Sequence, residues 1–277
     1  MCLSIITINY NNCDGLKKTI DSVVSQTLKV FEWIVVDGGS TDGSKELIER
    51  YSSHFAYWVS EPDKGIYNAM NKGIKVAKGE YLLFLNSGDW LCNESIIQDF
   101  VDRSFMSDIV DGDINFVFEN ITKRANAPDS VDFDFFYHNT LWHPTAFIRK
   151  SLFDQYGLYD EHFRIISDWE FFLRTIVING ASYEHFNQVV SYFPVNGISA
   201  NPAFEQEIHE DKRKVFLSYV PESFLDAYKK LDDKYKKQGE EVLLLRNTKN
   251  EYENLKNGKL GFIIDLLLKF KSIKKRW

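Results

Sequence analysis

Residues 81–89 read YLLFLNSGD, and this stretch decides the fold class. Tyr81–Leu85 is an apolar run of strand length, which predicts a strand buried on both faces. The pattern then breaks into Asn86, Ser87, Gly88 and Asp89. A buried strand with a carboxylate just past its C-terminal end is how open α/β sheets present ligand chemistry. Upstream, Phe31–Val36 is a second such strand, and it runs into Asp37-Gly38-Gly39-Ser40-Thr41-Asp42. Two acidic strand ends before residue 90 point to a nucleotide and a metal ion.

The flanking pattern alternates strand and helix. Leu3–Ile8 is apolar and β-branched, hence a strand. Leu16, Ile20, Val23 and Val24 share a helical face. Thr41-Asp42-Gly43-Ser44 opens a short helix through Tyr51, with Thr41-Asp42 as its cap. Phe55–Val59 reads as a strand. Ile66, Ala69, Met70, Gly73, Ile74 and Ala77 form another helical stripe, closed at Lys78-Gly79-Glu80 with Gly79 as a left-handed cap. This βαβαβαβ order predicts a mainly parallel sheet with helices on both faces.

Further along, Ile96–Phe100 reads as helix. Ile109–Val110 and Ile114–Phe118 read as strands around a turn, Asp111-Gly112-Asp113. Phe133–Tyr137 and Leu141–Ile148 are aromatic runs that fit either helix or strand. Trp169, Phe172, Leu173, Ile176 and Val177 have helical spacing, and Val189–Phe193 is a last strand. After Pro202 the chain turns charged and helix-forming. The expected organisation is 1–95 for a nucleotide-binding half, 96–202 for an acceptor-side half of the same domain, and 203–277 for a helical extension.

The composition is that of an ordinary globular protein: 277 residues, 44% hydrophobic and 26% charged. A net charge of −7 argues against nucleic acid as the main partner. Cys2, Cys13 and Cys92 have no metal-ligand spacing and read as reduced thiols of a cytosolic protein. The opening MCLSIITINY lacks the features of a secretion signal. No apolar run reaches the ~18 residues of a membrane span. Leu260, Ile263, Ile264, Leu266, Leu267, Leu268 and Phe270 are followed by Lys271, Lys274, Lys275 and Arg276. Residues 259–277 therefore suit a helix lying on an anionic membrane, or one packed on protein.

Several motifs resemble glycosyltransferase family 2, in a subgroup that builds bacterial exopolysaccharide and O-antigen. They are Ser4–Asn11, Val36–Gly43, Glu61–Gly73, Gly79–Trp90, Tyr159–Phe163 and Ser167–Arg174. The resemblance covers about residues 3–200. It implies a GT-A fold, a nucleotide-sugar donor, a divalent cation (Mn²⁺ or Mg²⁺) and inversion at the anomeric carbon. The implied product is a glycan, with a glycan or lipid-linked acceptor, made at the inner face of the cell membrane.

Candidate site residues follow. Asp89 fits the metal-ligand position, since hard carboxylates hold the cation that neutralises a leaving diphosphate. Asn86 and Gly88 depart from the family's more acidic pattern there, and the resemblance places both at the donor. Asp37 is positioned to accept a uracil imide N–H, or else serves its own turn. The resemblance places Thr7, Asn9 and Tyr10 beside base and ribose, with Tyr10 as a stacking candidate. Lys64 could meet phosphate, Gly65 admits close backbone approach, and Asn68 and Asn71 share a helix face that points either at the donor or at solvent. Asp63 is a plausible helix cap. Asp168 matches the family's catalytic base, although it also suits a cap. Arg174 pairs with an acid or with phosphate. His143 is a weak metal or phosphate candidate. Trp90, Trp142 and Trp169 are candidates for a sugar platform, or for core.

A dinucleotide-binding dehydrogenase would need G-x-G-x-x-G after the first strand, where this chain has Asn9-Tyr10-Asn11-Asn12. A sugar-phosphate nucleotidyltransferase would need a glycine-rich basic loop there. A nucleotide-binding scaffold without activity is the remaining rival, because the acidic turn is thinned to Asp89.

Overall fold

A computed structural model of the chain describes residues 3–195, 197 and 201–257. β1 (Leu3–Asn9) buries all of its residues. Its sequence LSIITIN suits a strand covered on both faces. β2 (Phe31–Asp37) and β4 (Tyr81–Phe84) flank β1 in parallel, and β3 (Tyr57–Ser60) lies parallel to β2.

Alternate β1 residues point to opposite faces. On one face Leu3 and Ile5 join Leu16, Ile20 and Val23 of α1 (Cys13–Val24), Leu47 and Ile48 of α2 (Ser44–Tyr51), and Ile96, Ile97 and Phe100 of α4 (Ile96–Arg103). On the other face Ile6 meets α3 (Ile66–Val76). Each fully buried aliphatic or aromatic side chain contributes about 1.5–3 kcal/mol.

The second half of the sheet is mixed. β8 (Ala146–Arg149) runs antiparallel to β4, and β6 (Ile109–Val117) antiparallel to β8. β9 (Tyr183–Pro194) lies parallel to β6, and β5 (Trp90–Leu91) closes the edge antiparallel to β9. β7 (Thr122–Ala125) pairs with the end of β6. The order is β3-β2-β1-β4-β8-β6-β9-β5. α5 (Phe133–His138), α6 (Lys150–Tyr156) and α7 (Ser167–Phe172) complete this half, and α7 continues into a π-helical turn, Leu173–Ile178.

Several expectations are corrected. Asp111-Gly112-Asp113 is no turn: β6 runs straight through it, with a register shift against β9 at Gly112/Asp113. A Cβ at Gly112 would lie 2.3 Å from Val190 Cγ2, so glycine is there for close packing. Gly79 does not take the left-handed conformation. Its role is also close approach, since a Cβ would lie 2.4 Å from the Ser4 backbone nitrogen. The third strand starts at Tyr57 because Ser52–His54 forms a 3₁₀ turn first. The run Leu141–Ile148 is split between a 3₁₀ turn, His143–Thr145, and β8.

The chain divides into two compact units, Met1–Val215 and Phe216–Trp277. The expected break at residue 95 lies inside the first, whose sheet joins both halves. α8 (Glu205–Tyr219) carries the division, and α9 (Glu222–Asn257) is the long helix of the second unit. Among the described residues no helix is long and apolar enough to cross a membrane. The run 259–277 expected to lie on a membrane is outside the described residues, as is Cys2.

Candidate active site

The C-terminal ends of β1 and β4 open into a groove of about 1340 Å³. It reaches from Asn9, Tyr10 and Gly38 past Gly65 and Asn86–Asp89 to Trp142, His143, Asp168 and Lys212. Sequence-distant candidates thus share one cleft, at the strand ends where α/β sheets bind ligands.

At the β1 end, Asn9 and Asp37 are register partners. Asn9 Nδ2 donates to Asp37 Oδ1 at 2.7 Å. Asp37 also accepts from Ser40 Oγ (2.5 Å), the Ser40 amide (3.0 Å) and Ser60 Oγ (2.6 Å). Burial opposes its charge, but these bonds from Ser40, Ser60 and Asn9 outweigh it and hold the carboxyl below its usual range. The expectation that Asp37 meets a base directly is therefore corrected: its oxygens are engaged by protein donors, and it does not line the groove. What it does is hold Asn9. Among the described residues Asn9 Oδ1 is buried without a partner, and Asn9 lines the groove, so it is the acceptor left open. Tyr10 is 67% exposed beside it, free to stack. Thr7 is corrected too: it is enclosed in the sheet, its hydroxyl accepting from Trp33 Nε1 at 3.1 Å.

The Asn86–Asp89 turn closes β4. Gly88 has φ +108°, a conformation open to glycine. Its amide donates to Thr19 Oγ1, which donates in turn to the Asp89 carbonyl at 2.7 Å. Asn12 caps α1 through the Gly15 amide and reaches the Ser87 carbonyl at 2.9 Å. Asp89 itself is buried, and burial pushes its carboxyl up to about 8, with the Asn86 backbone amide opposing. Among the described residues Asp89 Oδ2 and Asn86 Oδ1 are both buried without partners.

Two orphaned oxygens in one turn, one of them from a carboxyl group, suit a hard divalent cation, which would take the place of the carboxyl proton. Among the described residues no three His, Cys, Asp or Glu side chains gather as a metal cage. An ion held by Asp89 and Asn86 would therefore draw its remaining ligands from a diphosphate and water.

The far wall is built on α7. Asp168 sits in its first turn, and its Oδ1 accepts from Tyr67 OH at 2.8 Å and from the Trp169 amide at 2.9 Å. The cap position is Ile166, so Asp168 is not the helix cap. Oδ2 lies 4.0 Å from His143 Nδ1, and the side chain is 23% exposed. Among the described residues Oδ2 accepts no hydrogen bond. Burial pushes His143 down to about 4, against the pull of Asp168. It stacks on Phe84 and its Nε2 meets Tyr159 OH at 2.8 Å. His143 thus belongs to the surroundings of Asp168, not to a metal cluster, which corrects its assignment.

Other candidates also move. Asn68 and Asn71 bind Glu161 (2.8 and 2.9 Å), and Asn71 also binds both backbone polar groups of Tyr159. They tie α3 to the 159–161 segment and do not line the groove. Lys64 is exposed at the start of α3, off the groove, whereas Gly65, at φ +119°, lines it. Asp63 accepts from the Gly65 amide at 2.9 Å instead of capping α3, whose cap is Gly65. Arg174 pairs with Glu170 at 2.7 Å. Of the three tryptophans, Trp142 and Trp169 line the groove, while Trp90 stacks on Tyr192.

Sequence reasoning missed Tyr67, Thr19, Asn12 and Lys212. Lys212 lies 4.6 Å from the Trp169 ring centroid, and burial lowers it to about 8 against the pull of Asp168. Asn12 carries a local signal, an Asn placed to cap α1 through the Gly15 amide, whereas Tyr67, Thr19 and Lys212 act through partners distant in sequence.

The profile of Glycosyl transferase family 2 matches residues 4–157. This chain belongs to glycosyltransferase family 2. It is 34% identical over 181 residues to an uncharacterized glycosyltransferase of Mycobacterium tuberculosis, covering 64% of this chain and 69% of the relative. It is 31% identical over 204 residues to a PGL/p-HBAD biosynthesis glycosyltransferase of Mycobacterium bovis, covering 71% of this chain and 78% of that one. Among solved structures, Staphylococcus aureus TarS 1-349 in complex with UDP superposes with a TM-score of 0.59 at 21% identity, over 70% of this chain and 61% of that one. A mannosyltransferase from Pyrobaculum calidifontis, in complex with GDP-Man and Mn²⁺, gives 0.54 at 17% identity, over 72% and 58%. These likenesses establish the GT-A fold, and the family makes the chain a glycosyltransferase.

Proposed function

We propose that this glycosyltransferase is metal-dependent and inverting, and that it moves one sugar from a UDP-linked donor to a hydroxyl of a glycan or lipid-linked acceptor in bacterial surface-polysaccharide synthesis. The observation that carries the reading is one groove lined both by Asp89, with an unpartnered buried oxygen, and by Asp168, with an open one. That is the pair of groups a single displacement needs. TarS, in complex with UDP, and the mannosyltransferase, in complex with GDP-Man and Mn²⁺, support a nucleotide-sugar donor and a divalent ion.

Asn9, held by Asp37, would accept the imide N–H of uracil, and Tyr10 would cover the ring. Asp89, with Asn86, would hold a divalent ion, which when bound neutralises charge on the leaving diphosphate. The acceptor oxygen attacks C1 of the sugar as the bond from C1 to the diphosphate oxygen breaks, which inverts the anomeric centre. The hydroxyl proton passes to Asp168, whose Oδ1 is fixed by Tyr67 and the Trp169 amide. His143, its ring stacked on Phe84, packs beside Asp168.

The basic, apolar run 259–277 would dock the enzyme on an anionic membrane, where a lipid-linked acceptor lies.

The test is a panel of nucleotide sugars assayed for transfer and hydrolysis with Mn²⁺, Mg²⁺ or chelator. A UDP-sugar turned over with metal, and not with chelator, supports the reading. Turnover untouched by chelator removes the metal, and preference for GDP- or dTDP-sugars removes the uracil assignment.

A further inference from the structure

α9 runs for 36 residues and holds a row of large apolar side chains in the open. Leu231, Tyr235, Val242, Leu243, Leu244 and Leu245 are 48–69% exposed. A lone helix is marginal in water, and most helical stability in proteins comes from packing an apolar face. No step of the sugar transfer uses this helix.

The spacing of these residues indicates what the face meets. Leu231, Tyr235, Gln238, Val242 and Leu245 follow one another at alternating steps of four and three. In the sequence the same steps reach back to Tyr228 and Phe224, and on to Lys249 and Tyr252. A repeat of 3.5 residues held over several heptads is the seam of a coiled coil. Leu243 and Leu244 fall outside that seam, at outer positions of the heptad.

A parallel pair of strands fits best. Val242 stands at heptad position a, with Leu231 and Leu245 at d, and a β-branched a with leucine at d favours two strands. In parallel register Gln238 meets the partner's Gln238, and two amides can each donate and accept. Glu241 at g meets the partner's Arg246 at e, an opposite-charge pair that symmetry makes twice. Where Lys234 meets the partner's Gly239, and Thr248 the partner's Glu253, one side is uncharged, so no like charges oppose. Lys249 stands at a, but its ammonium turns to Glu253 at 3.8 Å, away from the seam. Antiparallel pairing would set Gln238 against the partner's Tyr235 or the partner's Val242, with no amide to match it. A membrane is disfavoured as the cover, because Glu240 and Glu241 flank Val242–Leu245 where an anionic surface calls for basic residues.

We infer that α9 is a dimerisation helix: residues 231–252 pair with the same residues of a second copy of this chain as a parallel, two-stranded coiled coil, its register fixed by Gln238 and by Glu241 against the partner's Arg246. The inference is independent of the donor and acceptor.

Sedimentation velocity on the full chain tests it. The wild type should run at twice the monomer mass in the micromolar range. Val242→Glu combined with Leu245→Glu, which sets charge in the seam, should raise the dissociation constant at least about a hundredfold and leave a monomer. Leu243→Glu combined with Leu244→Glu adds the same charge at outer positions and should stay dimeric. Glu241→Arg and Arg246→Glu, made separately, should each weaken the dimer about tenfold by setting like charges together. An equimolar mixture of those two variants should recover it as a heterodimer, which misfolded chains could not do. A wild type that is monomeric throughout the micromolar range overturns the inference, as does a mass of three or more copies. So does dissociation by the outer pair as well as the seam pair, or a mixture that does not recover. A monomer retained on phosphatidylserine vesicles through residues 242–245 overturns it in favour of a lipid surface.

Discussion

At the scale of single residues, Asp168 has two differently occupied oxygens. Oδ1 takes hydrogen bonds from Tyr67 and from the Trp169 amide, which leaves Oδ2 for a new proton. Asp168→Asn keeps the size and the bond from Tyr67 but cannot accept that proton. We expect turnover to fall about 10²–10⁴-fold, with UDP affinity within twofold of wild type. Parallel loss of rate and UDP affinity would instead mark Asp168 as a structural residue. Asp37 acts at one remove. Without its carboxylate, Asn9 Nδ2 loses its 2.7 Å partner and Asn9 Oδ1 loses its orientation. Asp37→Ala should weaken UDP binding by about 1–3 kcal/mol and flatten the preference for UDP over other nucleoside diphosphates. Calorimetry with UDP, GDP and dTDP measures both effects, and unchanged selectivity would return Asp37 to a purely structural role.

At the scale of elements, β6 shows what a local reading can and cannot see. Gly112→Ala would set a Cβ 2.3 Å from Val190 Cγ2 and 3.0 Å from the Gln188 carbonyl. The side chain can rotate but the carbonyl cannot, so we expect a loss of about 1–3 kcal/mol, read as a lower thermal midpoint. Asp111-Gly112-Asp113 reads as a turn because turns favour those residues. It is a strand because the carboxylates find partners far away: Thr145 for Asp111, Arg124 and His185 for Asp113. The parallel half was legible, since its strands are apolar runs and its helices carry regular stripes. The acidic ends of β2 and β4 were legible for the same reason. The individual polar roles were not. A threonine in a strand gives no sign that a tryptophan N–H will claim it, and Asn68 and Asn71 share a helix face as expected but turn it toward Glu161.

At the scale of the whole molecule, two consequences follow from where groups end up. His143 titrates near 4 in the fold, against an ordinary 6.5, because burial disfavours its cation. The unfolded chain therefore takes up a proton below about 6.5 that the folded chain refuses until about 4. This histidine's contribution is complete above 6.5 and is lost as pH falls toward 4, on the order of 3 kcal/mol. His185 works the other way: burial opposes its charge, but Asp129 and Asp113 raise it above the usual value. The informative quantity is thus the difference between wild type and His143→Gln in denaturant unfolding from pH 7 to pH 4. The variant should lose less stability on acidification, and parallel curves would show that His143 is not held neutral. The second consequence concerns the chain's end. Leu260–Phe270 is too short to span a bilayer, and five basic residues, Lys269, Lys271, Lys274, Lys275 and Arg276, stand in or just after it. Each basic residue near an anionic surface contributes ~1 kcal/mol, and the apolar residues add burial in the headgroup layer. We expect a chain ending at residue 257 to turn over a soluble donor at the full rate while failing to co-sediment with phosphatidylserine vesicles that retain the full-length protein. High salt should release the full-length protein in part, since screening weakens the charge contribution and leaves the apolar one. Equal sedimentation of both chains, or of neither, would instead place this segment against protein.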